Sequence, residues 1–597
     1  MRAAVDCERV TIGTGIALGL SSDGEAAMGR DTAADTSVAA SAESARKPIR
    51  WKLGALLIGS WASLQGFAWW YVGDDRTYQI LSTLYISPAM AFLTLLWFLL
   101  ISRIALAVRC ATMATLLVLV GAFFGTMRHQ GYTGAMIPVF AFRWQPTTEQ
   151  QARVFFQRAA RDEATEAKSN TEPDSPAQLP VAADDWPQFR GPRRDGVVDS
   201  ARLRRDWDTR PPELIWRHPV GQGWSSFAIV GGFAFTQEQR DDKEVVVCYQ
   251  ADTGRQVWVH ADPVRFSSAL GGVGPRGTPT VHASRVYALG ATGKLNCLDA
   301  VSGALLWSRD ALDDGRTENL VWGMAGSPLI DQGHVIVAPG GGDGRSVLAY
   351  AVDDGRLVWS RGDYPASYSA LRREVLAGQP QLLLFDAQGL AGLDPDSGAE
   401  FWRKPWQNDP QVNVAQPIIH EGKVLISSGY GLGSALLDVS RVSQDGVPAT
   451  VWNVPNRFKM KFNDAVYRDG YVFGLDEGIL SCLDAATGRR LWKRGRYGYG
   501  QLLLAGDTLI VMAESGMLAL VAADSRGFRE LANFQALDDV TWNHPVLHRG
   551  RLYVRNSVEA ACYDLSITPA ADLDQASARG TGTPAAEPAD HNAPAAR

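Results

Sequence analysis

Between residues 210 and 566 one short pattern returns repeatedly, and it constrains the fold more than any other feature of the chain. Its fullest copies read LNCLDAVSGALLW and LSCLDAATGRRLW: a strand, a turn opened by Asp, a Gly, and a Trp four residues after that Gly. The pairs are Gly254/Trp258, Gly303/Trp307, Gly355/Trp359, Gly398/Trp402 and Gly488/Trp492, and Trp452 holds the same place in a copy with a longer turn. Asp opens such a turn by bonding its own backbone, and Gly supplies the positive φ that reverses the chain. Trp then packs between neighbouring sheets while its indole N–H seeks a backbone acceptor. Successive tryptophans stand from 40 residues (Trp452 to Trp492) to 52 residues (Trp307 to Trp359) apart, which fits one four-stranded propeller blade each.

Each copy also opens with a hairpin, from SSFAIVGGFAFT and TPTVHASRVYAL to QLLLAGDTLIVM and HPVLHRGRLYVR, and eight such hairpins can be counted. The last copy ends at CYDL without an outer strand, whereas LIWRHPV precedes the first hairpin without a partner. Lending that early strand to the last blade removes two open edges. The expectation is an all-β eight-bladed propeller over 185–566. Cys248, Cys297, Cys482 and Cys562 fall at an equivalent place in four copies, which reads as small buried core residues. A disulfide framework would need neighbouring blades to hold them closer than they can. The six cysteines contain no CxxC and do not fix the redox compartment.

Upstream the character changes. Residues 1–50 are rich in Ala, Ser, Asp and Thr without a period and read as disordered, with Met28 a second candidate start. Three apolar stretches follow within 51–127, at about 53–72, 80–102 and 110–126, each of membrane-spanning length. Trp51, Trp69, Trp70 and Tyr71 flank the first, where amphipathic rings favour the headgroup layer. Arg46, Lys47, Arg50 and Lys52 precede it, and Arg103 and Arg109 flank the second connection, while the first connection carries Asp74, Asp75 and a single Arg. Counting basic residues puts the N-terminus in the cytoplasm and everything after the third span on the far side. Residues 128–184 read as a helical stem and a linker, and 567–597 as a disordered Ala-, Pro- and Gly-rich tail.

The docking motif, with DWPQFRGPRRDGV at 185–197, WGMAGSPLI, LISSGYGLGSALL and YVRNSVEAACYDL, resembles a bacterial group of PQQ-binding-like β-propeller repeat proteins. The resemblance covers 185–566 and takes in the segment GYTGAMIPVFAFRW as well. It implies a quinoprotein-like propeller, which the three apolar stretches place behind an α-helical transmembrane region of three spans. Two functional branches share these repeats. Quinoprotein dehydrogenases hold pyrroloquinoline quinone (PQQ) and calcium in the funnel, and BamB-like assembly lipoproteins bind protein partners without chemistry. Fold does not choose between them.

The residues lean towards binding. The vicinal Cys–Cys that the dehydrogenase resemblance calls for is absent. Calcium needs several hard oxygens and an alcohol proton needs a base. Asn463 as a calcium ligand and Asp464 as the base form the one suggestive pair, in KFNDAV where a blade begins, although Asn and Asp also suit a strand-opening turn. Trp322 and Trp542 could stack on a planar ligand or simply pack. Arg276, Gln416, Tyr499 and His544 stand at comparable blade starts and could line the funnel mouth, where a polar rim is ordinary in any propeller. The GxGxxG at Gly272–Gly277 is followed by a strand and broken by Pro275, so it is no dinucleotide site. With 58 Lys plus Arg against 64 Asp plus Glu, nucleic acid is not the expected partner. The reading is a membrane-tethered periplasmic propeller that binds an envelope protein partner. The alternative is a membrane-bound PQQ-dependent alcohol or sugar dehydrogenase.

Overall fold

The computed structural model describes residues 49–73, 75–166, 178–199 and 201–567. The expectations for 1–48, including the second start at Met28, and for 568–597 lie outside the described residues. Seven four-stranded antiparallel sheets and one five-stranded sheet follow one another from Glu213 to Asp564. These eight blades begin at Ala228, Thr280, Leu329, Arg372, Ile418, Val466, Gln501 and Val546, and are numbered 1 to 8 here. The early strand Glu213–Pro219 is the fourth strand of blade 8, with Trp216 opposite Cys562. The ring therefore closes by pairing the first strand of the repeat region with the last three.

The docking turns work by close contact. Gly254, Gly303, Gly355, Gly398 and Gly488 all have φ near +70°, and each lies against the Trp of the preceding blade. A Cβ on Gly303 would stand 2.6 Å from the Trp258 ring, and one on Gly355 2.7 Å from Trp307. Only glycine meets both demands. The indoles of Trp216, Trp258, Trp307, Trp452 and Trp492 donate across the interface to the carbonyls of Ala251, Ala300, Val352, Ala485 and Asp524. Two tryptophans depart from the expected backbone acceptor. Trp402 donates to the Gln381 side chain within its own blade (2.7 Å), and the Trp359 indole has no acceptor among the described residues. Blade 7 carries Ala532 at the docking register, and Trp207, just before the closing strand, packs edge-on against Phe534 beside it. Cys248, Cys297, Cys482 and Cys562 lie opposite a docking tryptophan and are fully buried, so burial pushes their thiols up, to about 12 at Cys297.

Three helices precede the propeller: α1 (Trp51–Val72), α2 (Arg76–Leu96, continued by a π turn to Ile101) and α3 (Leu106–Thr126). Two are long and apolar enough to cross a membrane, Arg76–Ile101 and Leu106–Thr126. The expectation of three spans is thus met by two; α1 falls short because Gln65 and several Gly, Ser and Trp dilute its aliphatic run. α1 nonetheless lies antiparallel to α2, with Gln65 donating to Thr83 (2.9 Å) and Trp97 packed over Gly54. The following segment, expected to be a helical stem and a linker, begins with a β-hairpin, Met127–Tyr132 paired with Pro138–Phe142, and continues into the helix α4 (Thr148–Glu166). α4 is docked rather than free-standing: Phe155 stacks on His218 at 5.1 Å and Arg240 lies over Phe156.

Candidate functional site: the axial funnel

The inner strands start around the propeller axis, and their first residues form a polar ring joined from blade to blade. Thr278 accepts from the Ser226 amide, Ser327 accepts from the Thr278 amide (2.9 Å), and Asp464 accepts from the Gln416 amide (2.6 Å). Asn543 donates to the Ser225 carbonyl (2.7 Å), and Gln501 to the carbonyls of Phe462 and Trp542. These side chains are buried, so each bond replaces one lost to water.

The strap at 185–198 runs across this ring. Trp186 bridges to Ile229 of blade 1 and Val197 pairs in parallel with Leu504 of blade 7, which is the fifth strand of that sheet. Between those anchors Arg190 and Arg194, both in the left-handed backbone region, send buried guanidiniums to the axis. Arg190 donates to the carbonyls of Ala465 and Asp195 (2.7 Å each) and stands 3.5 Å from the Asp464 carboxylate. Arg194 donates to the carbonyls of Ser327, Pro328 and Leu371. It has no carboxylate partner among the described residues, and burial pulls its pKa down to about 9. Burial also opposes the Asp464 charge, yet Arg190 and then His544, 3.3 Å away, hold its pKa below the ordinary carboxylate value. His544 packs edge-on to Phe189 of the strap, and burial lowers its pKa.

The other side of the funnel is filled by aromatic rings and by the turn that starts α2. Phe462 sits at the centre of Trp322 (5.7 Å), Tyr430 (6.3 Å) and Tyr499 (5.5 Å), and Trp322 packs on Tyr368. Tyr499 donates to Glu477 (2.6 Å) and meets the Thr77 hydroxyl at 3.1 Å. Lys461 donates to the same Thr77 hydroxyl (2.9 Å), and Lys459 lies 3.5 Å from Glu477 and 3.9 Å from Asp75. Burial lowers the Lys461 pKa and raises that of Glu477. Glu514 accepts from the Gly134 amide (2.5 Å) and the Trp542 indole (2.9 Å), so the hairpin that follows α3 is pinned to the same rim.

Of the residues singled out in the sequence, Gln416, Asn463, Asp464 and His544 meet at the ring, and Trp322 and Tyr499 at the aromatic side. Arg276, beside Trp322, donates to the carbonyls of Gly271, Gly272 and Gly274 in its own loop. Trp542 packs against Trp224, ring centroids 4.5 Å apart and the rings tilted by 42°. Sequence reasoning missed Arg190, Arg194, Lys459, Lys461, Glu477 and Asp75. The signal was present in RGPRRDG and KMKFND, where basic residues crowd between buried blade starts.

The donor set does not fit PQQ and calcium. Asn463 donates to the Leu475 carbonyl and leaves its Oδ1 unpaired, which alone would suit a cation. Its neighbour Asp464 already faces Arg190, whose charge would oppose Ca²⁺. No group of three His, Cys, Asp or Glu able to hold a metal occurs among the described residues. Calcium takes about six to eight oxygens. The two ionic partners of Asp464 are a guanidinium and an imidazole.

The family model described as outer membrane protein assembly factor BamB matches residues 241–528. This is a PQQ-like repeat propeller. A curated relative, the outer membrane protein assembly factor BamB of Yersinia pestis, is 23% identical over 379 residues, covering 54% of this chain and 92% of that protein. Among solved structures, BamB from Moraxella catarrhalis is 16% identical with a TM-score of 0.43, covering 59% of this chain and 99% of that one. Quinohemoprotein alcohol dehydrogenase from Comamonas testosteroni is 12% identical with a TM-score of 0.49, covering 68% and 84%. The sequence similarity is thus to the assembly-factor repeats over 241–528, and the axial residues of this chain bear on what the propeller does.

Proposed function

We propose that this chain is a non-catalytic binding scaffold, anchored in the inner membrane of a bacterial envelope with its N-terminus cytoplasmic and its propeller periplasmic. The observation that carries the reading is the Arg190–Asp464 contact, which spends the one candidate catalytic carboxylate on an internal ion pair. The assembly-factor resemblance adds a protein partner at the envelope as the ligand class. All three helices span in this proposal. Support comes from the antiparallel packing of α1 on α2 and from the Arg50 amide, which donates to the Ser102 carbonyl and so brings the basic residues of both ends together. Asp75 and Thr77, at the opposite end, touch the propeller.

Two measurements test the proposal. Alkaline phosphatase fused after residue 567 should be active, and the same fusion after Arg103 inactive; the reverse pattern refutes the topology. Calorimetric titration of the detergent-purified full chain with PQQ and calcium should give no saturable heat. Calcium-dependent binding near micromolar, about −8 kcal/mol, would instead favour the dehydrogenase alternative.

A further inference from the structure

The hairpin that follows α3 exposes an apolar face. Ile137 (42% exposed), Phe140 (41%) and Trp144 (67%) point outward, Phe142 stacks on Trp144 at 4.5 Å, and Phe140 packs edge-on to Phe123 of α3 at 5.1 Å. These aromatics are continuous with a helix that is itself apolar on every side. Aromatics in that position are typical of the membrane–water interface. Behind the hairpin, between it and the faces of blades 1 and 8, lies an open cleft of about 440 Å³, within the usual size of ligand sites. Its wall holds the Trp224/Trp542 pair, the apolar Leu270 and Val273, and four charged side chains, Arg128, Asp539, Arg265 and Glu149. Arg128 donates to the Pro146 carbonyl (3.0 Å) and has no ion-pair partner among the described residues. Asp539 accepts only from the neighbouring Val540 amide in the same sense. Arg265 and Glu149 are paired with each other at 2.6 Å.

We propose that this cleft takes the headgroup of a zwitterionic membrane phospholipid, with Arg128 receiving the phosphate and Asp539 the primary ammonium beside the two indoles. A guanidinium suits phosphate oxygens, and an ammonium is attracted both by a carboxylate and by indole faces. A purely anionic headgroup would leave Asp539 opposed, and a free sugar would leave both charges without a partner. The cleft starts two residues after the end of α3, which puts it at headgroup depth if α3 spans. The proposal therefore rests on the membrane reading above.

The test uses the full chain in detergent with defined lipids added, read by native mass spectrometry. Palmitoyl-oleoyl phosphatidylethanolamine should be retained about tenfold better than the phosphatidylglycerol analogue, the worth of one charge-assisted contact. Arg128→Ala and Asp539→Asn should each cut retention by a similar factor, with Arg489→Ala, a remote exposed arginine, unchanged. Soluble glycerophosphoethanolamine at equal concentration should not displace the lipid; if it does, the ligand is the free headgroup and the lipid assignment falls. Equal retention of both lipids, or unchanged retention in both cleft variants, overturns the site. Alkaline carbonate extraction separates the two failures: release of the wild-type chain from membranes refutes the membrane reading, whereas an integral chain with unaffected variants refutes only the headgroup site.

Discussion

Replacing Arg190 by Met tests the axial plug most directly. The guanidinium neutralises a fully buried carboxylate and satisfies two carbonyls, so its loss leaves Asp464 with His544 as its one remaining ionic neighbour. Breaking a buried pair from one side costs about 3–5 kcal/mol, and the stranded carbonyls of Ala465 and Asp195 add about 1–2 kcal/mol. Asp464→Asn should cost less, about 3 kcal/mol, because the amide oxygen can still accept from the Gln416 amide. The double variant buries no uncompensated charge and should be about 2 kcal/mol more stable than Arg190→Met alone. Denaturant unfolding of the full chain in detergent, followed by tryptophan fluorescence, gives the cycle. Additivity within about 0.5 kcal/mol would mean the two residues do not interact. The plug as described here would then be wrong.

Three further outcomes follow from the same geometry. Trp307→Phe should cost about 1 kcal/mol more than Trp359→Phe, because only Trp307 gives up an indole bond, to Val352, while the two rings are equally buried; paired thermal melts check it. His218, His544 and His548 all have pKa values lowered by burial, so the unfolded chain binds more protons than the folded one below about pH 6.5. Their stabilising contribution is complete above that pH and is lost as pH falls towards their folded values. The melting temperature should therefore drop between pH 7.5 and 5.5, and His544→Gln should flatten the slope. Thr77→Val removes an acceptor from Lys461 and a partner from Tyr499, about 1–3 kcal/mol at that contact; hydrogen exchange should rise at 459–462 and 497–500 while blades 2 to 4 stay protected.

The ring was legible because its determinants are local and repeated. Gly303 and Trp307 stand four apart in sequence, and the strain that demands Gly is met one blade away by a Trp with the same spacing. The closing strand could be inferred from two loose edges, LIWRHPV and CYDL. The site was harder to read because its contacts are long-range. Thr77 and Tyr499 lie 422 residues apart, and no periodicity links them. Arg190 stood in a motif already noticed, but an arginine in a Gly-Pro loop reads as exposed unless something says it is buried. The hairpin at 127–142 was overlooked because its strands are short and its apolar residues face outward, opposite to a core pattern.

Closure of the axis bears on where a partner can bind. The strap ties blades 1, 3, 4, 6 and 7 together through Trp186, Arg190, Arg194 and Val197, and the axial path is taken by the chain's own side chains. The rim at blades 6 to 8 is held by the turn before α2 and by the hairpin. The first hairpin turns of blades 3 to 6 differ: Gly333, Gly378, Gly422 and Gly470 each have open space where a Cβ would stand. Loops on a rigid scaffold are where recognition is normally placed. Under the proposed scaffold reading, a protein partner would meet these turns without displacing the plug, the cap or a docking tryptophan. A ligand entering the funnel would have to break the Arg190–Asp464 pair first, and that asymmetry in cost favours recognition on the turns over chemistry on the axis.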